Sequence, residues 1–176
     1  MLIRHLIAIL VLPFMAVLVI PRWLLNAYGG TTRWPNPETW VLGHVLGALF
    51  LIAGFSLFLW TLYLFAARGK GTLAPWDPPT RLVVSGPYRY MRNPMISGVL
   101  MILAGETLVH GSLTLFGWFL AFLLLNQIYF VLLEEPMLEN RFGDDYRQYK
   151  AAVPRWIPRF KPWEPISKKM GSPHGS

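Results

Sequence analysis

The chain has 176 residues, of which 54% are hydrophobic and only 14% are charged, and its mean hydropathy is +0.41. This composition lies outside the range of a soluble globular domain and indicates one small membrane domain. The absence of cysteine excludes a disulfide framework, a thiolate metal site and a cysteine nucleophile. The formal charge of +7 fits either nucleic acid or an anionic membrane surface, so the positions of the charges decide between them.

Four apolar stretches, each bounded by proline, glycine or charge, predict the helices. They cover residues 2–20, 40–66, 94–109 and 112–133. A transmembrane helix needs roughly 20 apolar residues, and the third stretch is short. The His110-Gly111 pair therefore predicts a tight turn that joins the third stretch to the fourth as a helical hairpin. In the second stretch, Gly43 and Gly47 form a G-x-x-x-G face that predicts close helix packing.

The basic residues predict the orientation in the membrane. All 16 lysines and arginines except Arg22 and Arg33 lie at the N terminus, between the second and third stretches, or after the fourth. The positive-inside rule then predicts four spans with both termini in the cytoplasm. The bilayer accounts for the basic excess, so no nucleic acid partner is expected.

The predicted fold is all-α, an integral membrane protein of about four transmembrane helices with a helical hairpin and a cytoplasmic C-terminal helical cap. The cap is expected over residues 134–150, with a break at Gly143. Residues 1–165 form a single domain in this interpretation. Residues 166–176, which end in Gly-Ser-Pro-His-Gly-Ser, indicate a disordered tail or a cloning remnant.

Two features predict a site at one end of the hairpin. Asn93 followed by Pro94 is typical of a helix start, where unpaired N–H groups favour an anion. Because the fourth helix runs back antiparallel, Glu134 and Glu135 return to the same face. Two adjacent carboxylates at a helix end need a compensating cation. The candidates for this cation are a ligand or one of Arg89, Arg92 and Arg141.

This arrangement suits S-adenosylmethionine, which carries a sulfonium cation, an amino acid end with both charges and an adenine that needs an apolar slot. Methyl transfer needs mainly in-line placement and exclusion of water, so few acid–base residues are required. No G-x-G-x-x-G, P-loop or G-x-S-x-G motif occurs in the sequence. The histidines lack metal-ligand spacing, so no metal is expected.

Three motifs carry a family resemblance. They are Gly86-Pro87-Tyr88, Arg92-Asn93-Pro94-Met95-Ile96-Ser97-Gly98 and Glu134-Glu135, followed by Phe142-Gly143-Asp144-Asp145-Tyr146, Tyr149 and Val153-Pro154. With these motifs the chain resembles the isoprenylcysteine carboxyl methyltransferase and phospholipid N-methyltransferase superfamily of integral membrane methyltransferases, over roughly residues 80–158. Asn93 and Ile96 depart from the family pattern, which has histidine and tyrosine there.

The resemblance implies an S-adenosylmethionine-dependent methyltransferase that acts on a lipophilic acceptor from the lipid bilayer. It implies catalytic roles for Glu135 and Arg141. It also implies a set of cofactor-binding residues, namely Thr80, Arg81, Leu82, Val83, Tyr88, Asn93, Pro94, Met95, Ile96 and Glu134. The acceptor's nucleophile and the oligomeric state stay open. The alternatives are a sterol-reductase-like enzyme with a nicotinamide cofactor, and a non-catalytic membrane partner or scaffold.

Overall fold

The computed structural model describes residues 13–28, 34–68, 82 and 84–164. Within these residues all regular secondary structure is helical and no strand occurs, which confirms the all-α prediction. The predictions for residues 2–12, Thr80, Arg81, Val83 and residues 166–176 lie outside the described residues.

Six helices organise the described chain, and we number them in chain order. They are α1 (Met15–Tyr28, whose turn Met15–Val19 is π-helical), α2 (Pro37–Arg68), α3 (Pro94–His110), α4 (Leu113–Tyr129, continued by the π-helical turn Phe130–Glu134), α5 (Glu135–Phe142) and α6 (Asp144–Ala152). A 3-10 turn, Gly86–Arg89, precedes α3.

Two apolar helices are long enough to cross a membrane, Pro37–Leu64 and Leu113–Phe142. The described part of α1 and the whole of α3 are shorter. Four spans therefore stay a prediction. Helix α1 continues past Pro21, where a loop was expected, because the π-helical turn before it accommodates a residue with no N–H.

Helices α2 and α3 pack backbone against backbone through glycine. A Cβ atom on Gly54 would lie 2.8 Å from the carbonyl oxygen of Gly98, and one on Gly47 would lie 2.9 Å from that of Gly105. Such contacts need residues without side chains. The predicted close packing at Gly47 is confirmed, whereas Gly43 faces the ring of Trp34 rather than a helix backbone.

The predicted hairpin between α3 and α4 is present. Gly111 ends α3 with a φ of 59°, a left-handed conformation that favours glycine. Ser112 then caps α4, and its hydroxyl accepts a hydrogen bond from the backbone N–H of Leu115. The hairpin places the start of α3 and the end of α4 at the same end of the bundle.

A C-terminal cap covers that end of the bundle. It consists of α5, α6 and the strap, by which we mean residues 153–163. Gly143, with a φ of 55°, separates the two short helices at the predicted break. Tyr146, Tyr149 and Val153 form the buried core of the cap, and Leu82 packs against them.

Candidate active site

The start of α3 meets the end of α4 through an ion pair. Arg92, directly before the N-cap of α3, donates to Glu135 at 2.6 Å. The two segments that the sequence placed together are therefore in contact, on the same side of the hairpin. Glu134 and Glu135 stand at the junction of the π-helical turn with α5. Short π-helical segments inside α-helices are frequent at functional sites.

Glu135 is held by three cations. Its side chain is only 7% exposed, and it pairs with Arg92, with Arg155 from the strap and with Lys150 from α6, whose Nζ lies at 3.0 Å. The two arginine side chains are also mostly buried, at 12% and 14% exposure. Lys150 bonds Glu139 as well, and these hydrogen bonds to Glu139 and Glu135 raise the pKa of Lys150. Glu135 thus connects α3, α6 and the strap.

Glu134 has a different environment. Among the described residues it forms no hydrogen bond and no ion pair, although its side chain is half-buried. Glu134 acts electrostatically on Tyr88 in the 3-10 turn. Burial raises the pKa of Tyr88, and the negative charge of Glu134 raises this pKa further. The two neighbouring carboxylates therefore differ, because one is neutralised within the fold and the other is available to a cation.

Neutral phenols lie on the cap side of the site. The Tyr149 hydroxyl donates to the carbonyl oxygen of Tyr88 at 2.6 Å, which fixes the 3-10 turn to α6. Burial raises the pKa of Tyr149, and the Tyr88 phenol adds to this shift. Burial also raises the pKa of Tyr146. At neutral pH these side chains therefore carry no negative charge.

The first turn of α3 forms another wall of the site. Asn93 occupies the predicted N-cap position, but its side chain makes no capping hydrogen bond. Its carbonyl oxygen instead accepts from the hydroxyl of Ser97 at 2.9 Å. Pro94 and Met95 are buried and Ile96 is half-buried. Pro94 has no N–H, and the N–H of Asn93 donates to the carbonyl oxygen of Arg155 in the strap at 3.4 Å. The N–H groups of Met95 and Ile96 have no carbonyl partner within the helix, so they can bind an anionic group.

The strap closes the site along α4. Gln127 accepts two hydrogen bonds from it, from the Arg155 guanidinium at 2.8 Å and from the Trp156 indole at 2.9 Å. The Trp156 ring also lies 5.7 Å from that of Phe130. Backbone hydrogen bonds join Arg92 to the carbonyl oxygen of Pro154 and join other residues of the strap to the 3-10 turn. The strap therefore covers the start of α3.

The predicted site residues fall into three groups. Tyr88, the start of α3, Glu134 and Glu135 lie at the same end of the bundle, and Leu82 packs against the buried core of the cap. Arg141 is exposed, with its guanidinium 5.8 Å from the ring centre of Phe142, and has no ion pair with the described residues. The third group comprises Thr80, Arg81 and Val83, which lie outside the described residues.

Sequence reasoning missed several residues that build this site. Arg155 and Lys150 pair with Glu135, and Gln127 holds the strap, but none of the three was selected from the sequence. One signal was available for the cations, because a carboxylate pair that folds into a protein interior requires positive partners. Arg155 directly follows the Val153-Pro154 pair that carries part of the family resemblance.

Comparison with known proteins supports the resemblance. A family model described as phospholipid methyltransferase matches residues 42–145, more than half of the chain. An uncharacterized protein of Haemophilus influenzae is 39% identical over 62 residues, which are 35% of this chain and 97% of that protein. No solved structure matches. The predicted relationship to the isoprenylcysteine and phospholipid methyltransferase superfamily is confirmed, and the chain belongs to the phospholipid methyltransferase family.

Proposed function

We propose that this protein is a membrane-embedded methyltransferase that transfers a methyl group from S-adenosylmethionine to a lipophilic acceptor. Family membership supports the reaction class. The observation that carries the cofactor proposal is the contrast within the acid pair: Glu135 is neutralised by three cations, while Glu134 has no cation in contact among the described residues. A half-buried carboxylate of this kind favours a positively charged ligand.

The side chains around Glu134 fit the parts of this cofactor. Glu134 would face the positive groups, and Tyr88 would offer its ring. In the first turn of α3, from Asn93 to Ile96, the N–H groups of Met95 and Ile96 would bind the carboxylate, and Pro94 and the Met95 and Ile96 side chains would supply an apolar surface. Thr80, Arg81, Leu82 and Val83 complete the proposed binding residues. When bound, S-adenosylmethionine would supply an electrophilic methyl group, which the acceptor's nucleophile would take as the carbon–sulfonium bond breaks and S-adenosylhomocysteine leaves.

The rest of the proposal assigns roles to the residues around that position. Glu135 fixes Arg92 and Arg155, so it keeps the walls of the site together. The strap and the buried phenols exclude water from the reacting centre. A direct catalytic role for Glu135 or for Arg141 stays a prediction.

We place the site at the cytoplasmic ends of four transmembrane helices, with both termini in the cytoplasm, because of the distribution of basic residues. In this topology a water-soluble donor reaches the cap side, and a membrane-dissolved acceptor approaches between the helices. The apolar surface of α4 up to Leu133 is exposed and would face the lipid that delivers the acceptor.

The decisive experiment measures binding of S-adenosylmethionine, which carries the sulfonium, and of S-adenosylhomocysteine, the demethylated product, which lacks it, to the purified protein by calorimetry. The wild type is expected to bind both, and Glu134→Gln is expected to bind S-adenosylmethionine roughly 10-fold to 100-fold more weakly because it loses a charged interaction. Glu139→Gln is the control, since it removes a carboxylate that bonds Lys150 in the cap. No binding by the wild type, or equal binding by wild type and Glu134→Gln, would refute the proposal.

The acceptor is identified in a separate experiment. A lipid extract is incubated with the protein and an isotopically labelled methyl donor, and the labelled products are found by mass spectrometry. The proposal predicts a labelled lipophilic product that is absent with Glu134→Gln. Label confined to water-soluble compounds would contradict the lipophilic acceptor.

A further inference from the structure

The middle of the strap carries apolar side chains that the described part of the chain leaves uncovered. Phe160 is 104% exposed and Ile157 is 77% exposed, the two highest values among the large apolar side chains of the described residues. Both ends of the strap are anchored, because Val153 is buried in the cap and Trp163 packs against the same core. A segment held at both ends presents its middle in a fixed direction.

The strap reaches the apolar part of α4. Its Trp156 donates to Gln127, which lies seven residues before Glu134 in the sequence. Seven residues correspond to about 10 Å along a helix. The exposed apolar surface of α4 and its π-helical continuation extends through Leu133. The strap at Trp156 therefore lies beside the apolar surface rather than beyond its end, and Ile157 follows directly.

Two basic residues flank the exposed ring of Phe160. Arg159 and Lys161 are its neighbours in the chain, and neither forms an ion pair with the described residues. The Arg159 guanidinium donates to the carbonyl oxygen of Ala152 at 3.0 Å, which leaves other donors of this group available. Exposed apolar side chains beside unpaired cations suit the boundary between lipid headgroups and acyl chains.

We propose that the strap is seated in the bilayer leaflet on the cap side, with Ile157 and Phe160 in the headgroup–acyl boundary and with Arg159 and Lys161 on anionic phospholipid headgroups. Charge complementarity and continuity with the apolar surface of α4 favour lipid over a protein partner. The same strap brings Arg155 to Glu135, so the membrane contact and the acid pair belong to one connected structure.

The absence of cysteine from the sequence allows single cysteines to be labelled specifically. Phe160→Cys carries an environment-sensitive fluorophore in the full chain, which is reconstituted into vesicles that contain lipids brominated along their acyl chains. The control is Gln148→Cys on the exposed surface of α6. Strong quenching at 160, at a depth of roughly 5–10 Å below the headgroups, is expected, with little quenching at 148. Equally weak quenching at both positions would overturn the proposal.

A second comparison tests the lipid charge. The labelled protein is placed in vesicles of zwitterionic phosphatidylcholine and in vesicles that also contain anionic phosphatidylglycerol. Quenching at 160 is expected to be stronger with the anionic lipid, and Lys161→Gln or high salt should reduce the difference. Equal quenching in both vesicles would refute the anionic contact. Ile157→Cys provides a second label position should Phe160→Cys fail to fold.

Neither readout requires the cofactor or methyl transfer. A failure of the strap proposal would therefore leave the proposed function standing. The converse also holds, because a protein that binds no S-adenosylhomocysteine could still show the label at 160 within the lipid.

Discussion

Replacement of Glu135 by glutamine tests whether one carboxylate holds the cap on the bundle. Glu135→Gln preserves the shape of the side chain but removes the negative charge from three cations. Lys150 keeps Glu139 as a partner, whereas Arg92 and Arg155, at 12% and 14% exposure, lose the carboxylate that they contact. Breaking a buried ion pair on one side destabilises a protein by about 3–5 kcal/mol. Because the amide oxygen still accepts one hydrogen bond, we expect about 3 kcal/mol.

The assay is reversible unfolding in mixed micelles by a denaturing detergent, followed by tryptophan fluorescence. Glu139→Gln is the matched control, since within the described part of the chain the Glu139 carboxylate pairs only with the partly exposed Lys150. Its loss should change the free energy of unfolding by about 0–1 kcal/mol. In an Arg92→Met background the effect of Glu135→Gln should shrink, because the two side chains are coupled. If both glutamine variants lost less than about 1 kcal/mol, the stabilising role of this network would be wrong.

Two further changes test the packing of the helices and the anchoring of the 3-10 turn. Gly54→Ala places a methyl group 2.8 Å from a backbone carbonyl oxygen of α3 and should destabilise the bundle by about 1–3 kcal/mol. The control is Gly117→Ala, which should be neutral or stabilising because nothing lies within 4 Å of the added methyl group. Thermal unfolding of both variants checks this, and equal effects would contradict it. Tyr149→Phe loses the 2.6 Å bond to Tyr88 and should be destabilised by about 1 kcal/mol at neutral pH. Because burial raises the pKa of Tyr149, this phenol ionises in the unfolded chain first, so the free energy of unfolding of the wild type falls above about pH 10. The free energy of unfolding of Tyr149→Phe should fall less steeply, by up to about 1.4 kcal/mol per pH unit. Unfolding at several alkaline pH values, with tyrosinate absorbance, measures the difference.

The helices could be predicted from the sequence because a membrane-spanning helix needs a long run of apolar residues. Apolar length predicted α2, α3 and α4, and the His110-Gly111 pair predicted the turn of the hairpin. The residues of α3 that pack against the glycines of α2 could not be predicted from the sequence. The contact between Gly54 and Gly98 depends on how far α2 is shifted along α3 when the two helices pack. The sequence of one helix alone does not predict that shift.

The candidate site was predictable in its acids and in one of its cations, Arg92, but not in Arg155 and Lys150. Local signals marked Asn93 as a helix start and marked Glu134 and Glu135 as a pair that needs positive charge. The strap that delivers Arg155 has no regular secondary structure, so no periodicity indicates where it returns to the bundle. Its position depends on backbone hydrogen bonds to the 3-10 turn, and such long-range contacts are not encoded by spacing.

The difference between the two glutamates follows from their environment and not from their chemistry. Both carboxylates lie within electrostatic reach of Arg92 and Arg155, but these guanidinium groups contact Glu135. A cation that binds Glu134 would therefore leave every ion pair of Glu135 intact. If Glu134 held an arginine of its own, ligand binding would first have to break that pair and expose a mostly buried charge. In the proposed function, the concentration of the internal cations on Glu135 leaves Glu134 for a positively charged ligand.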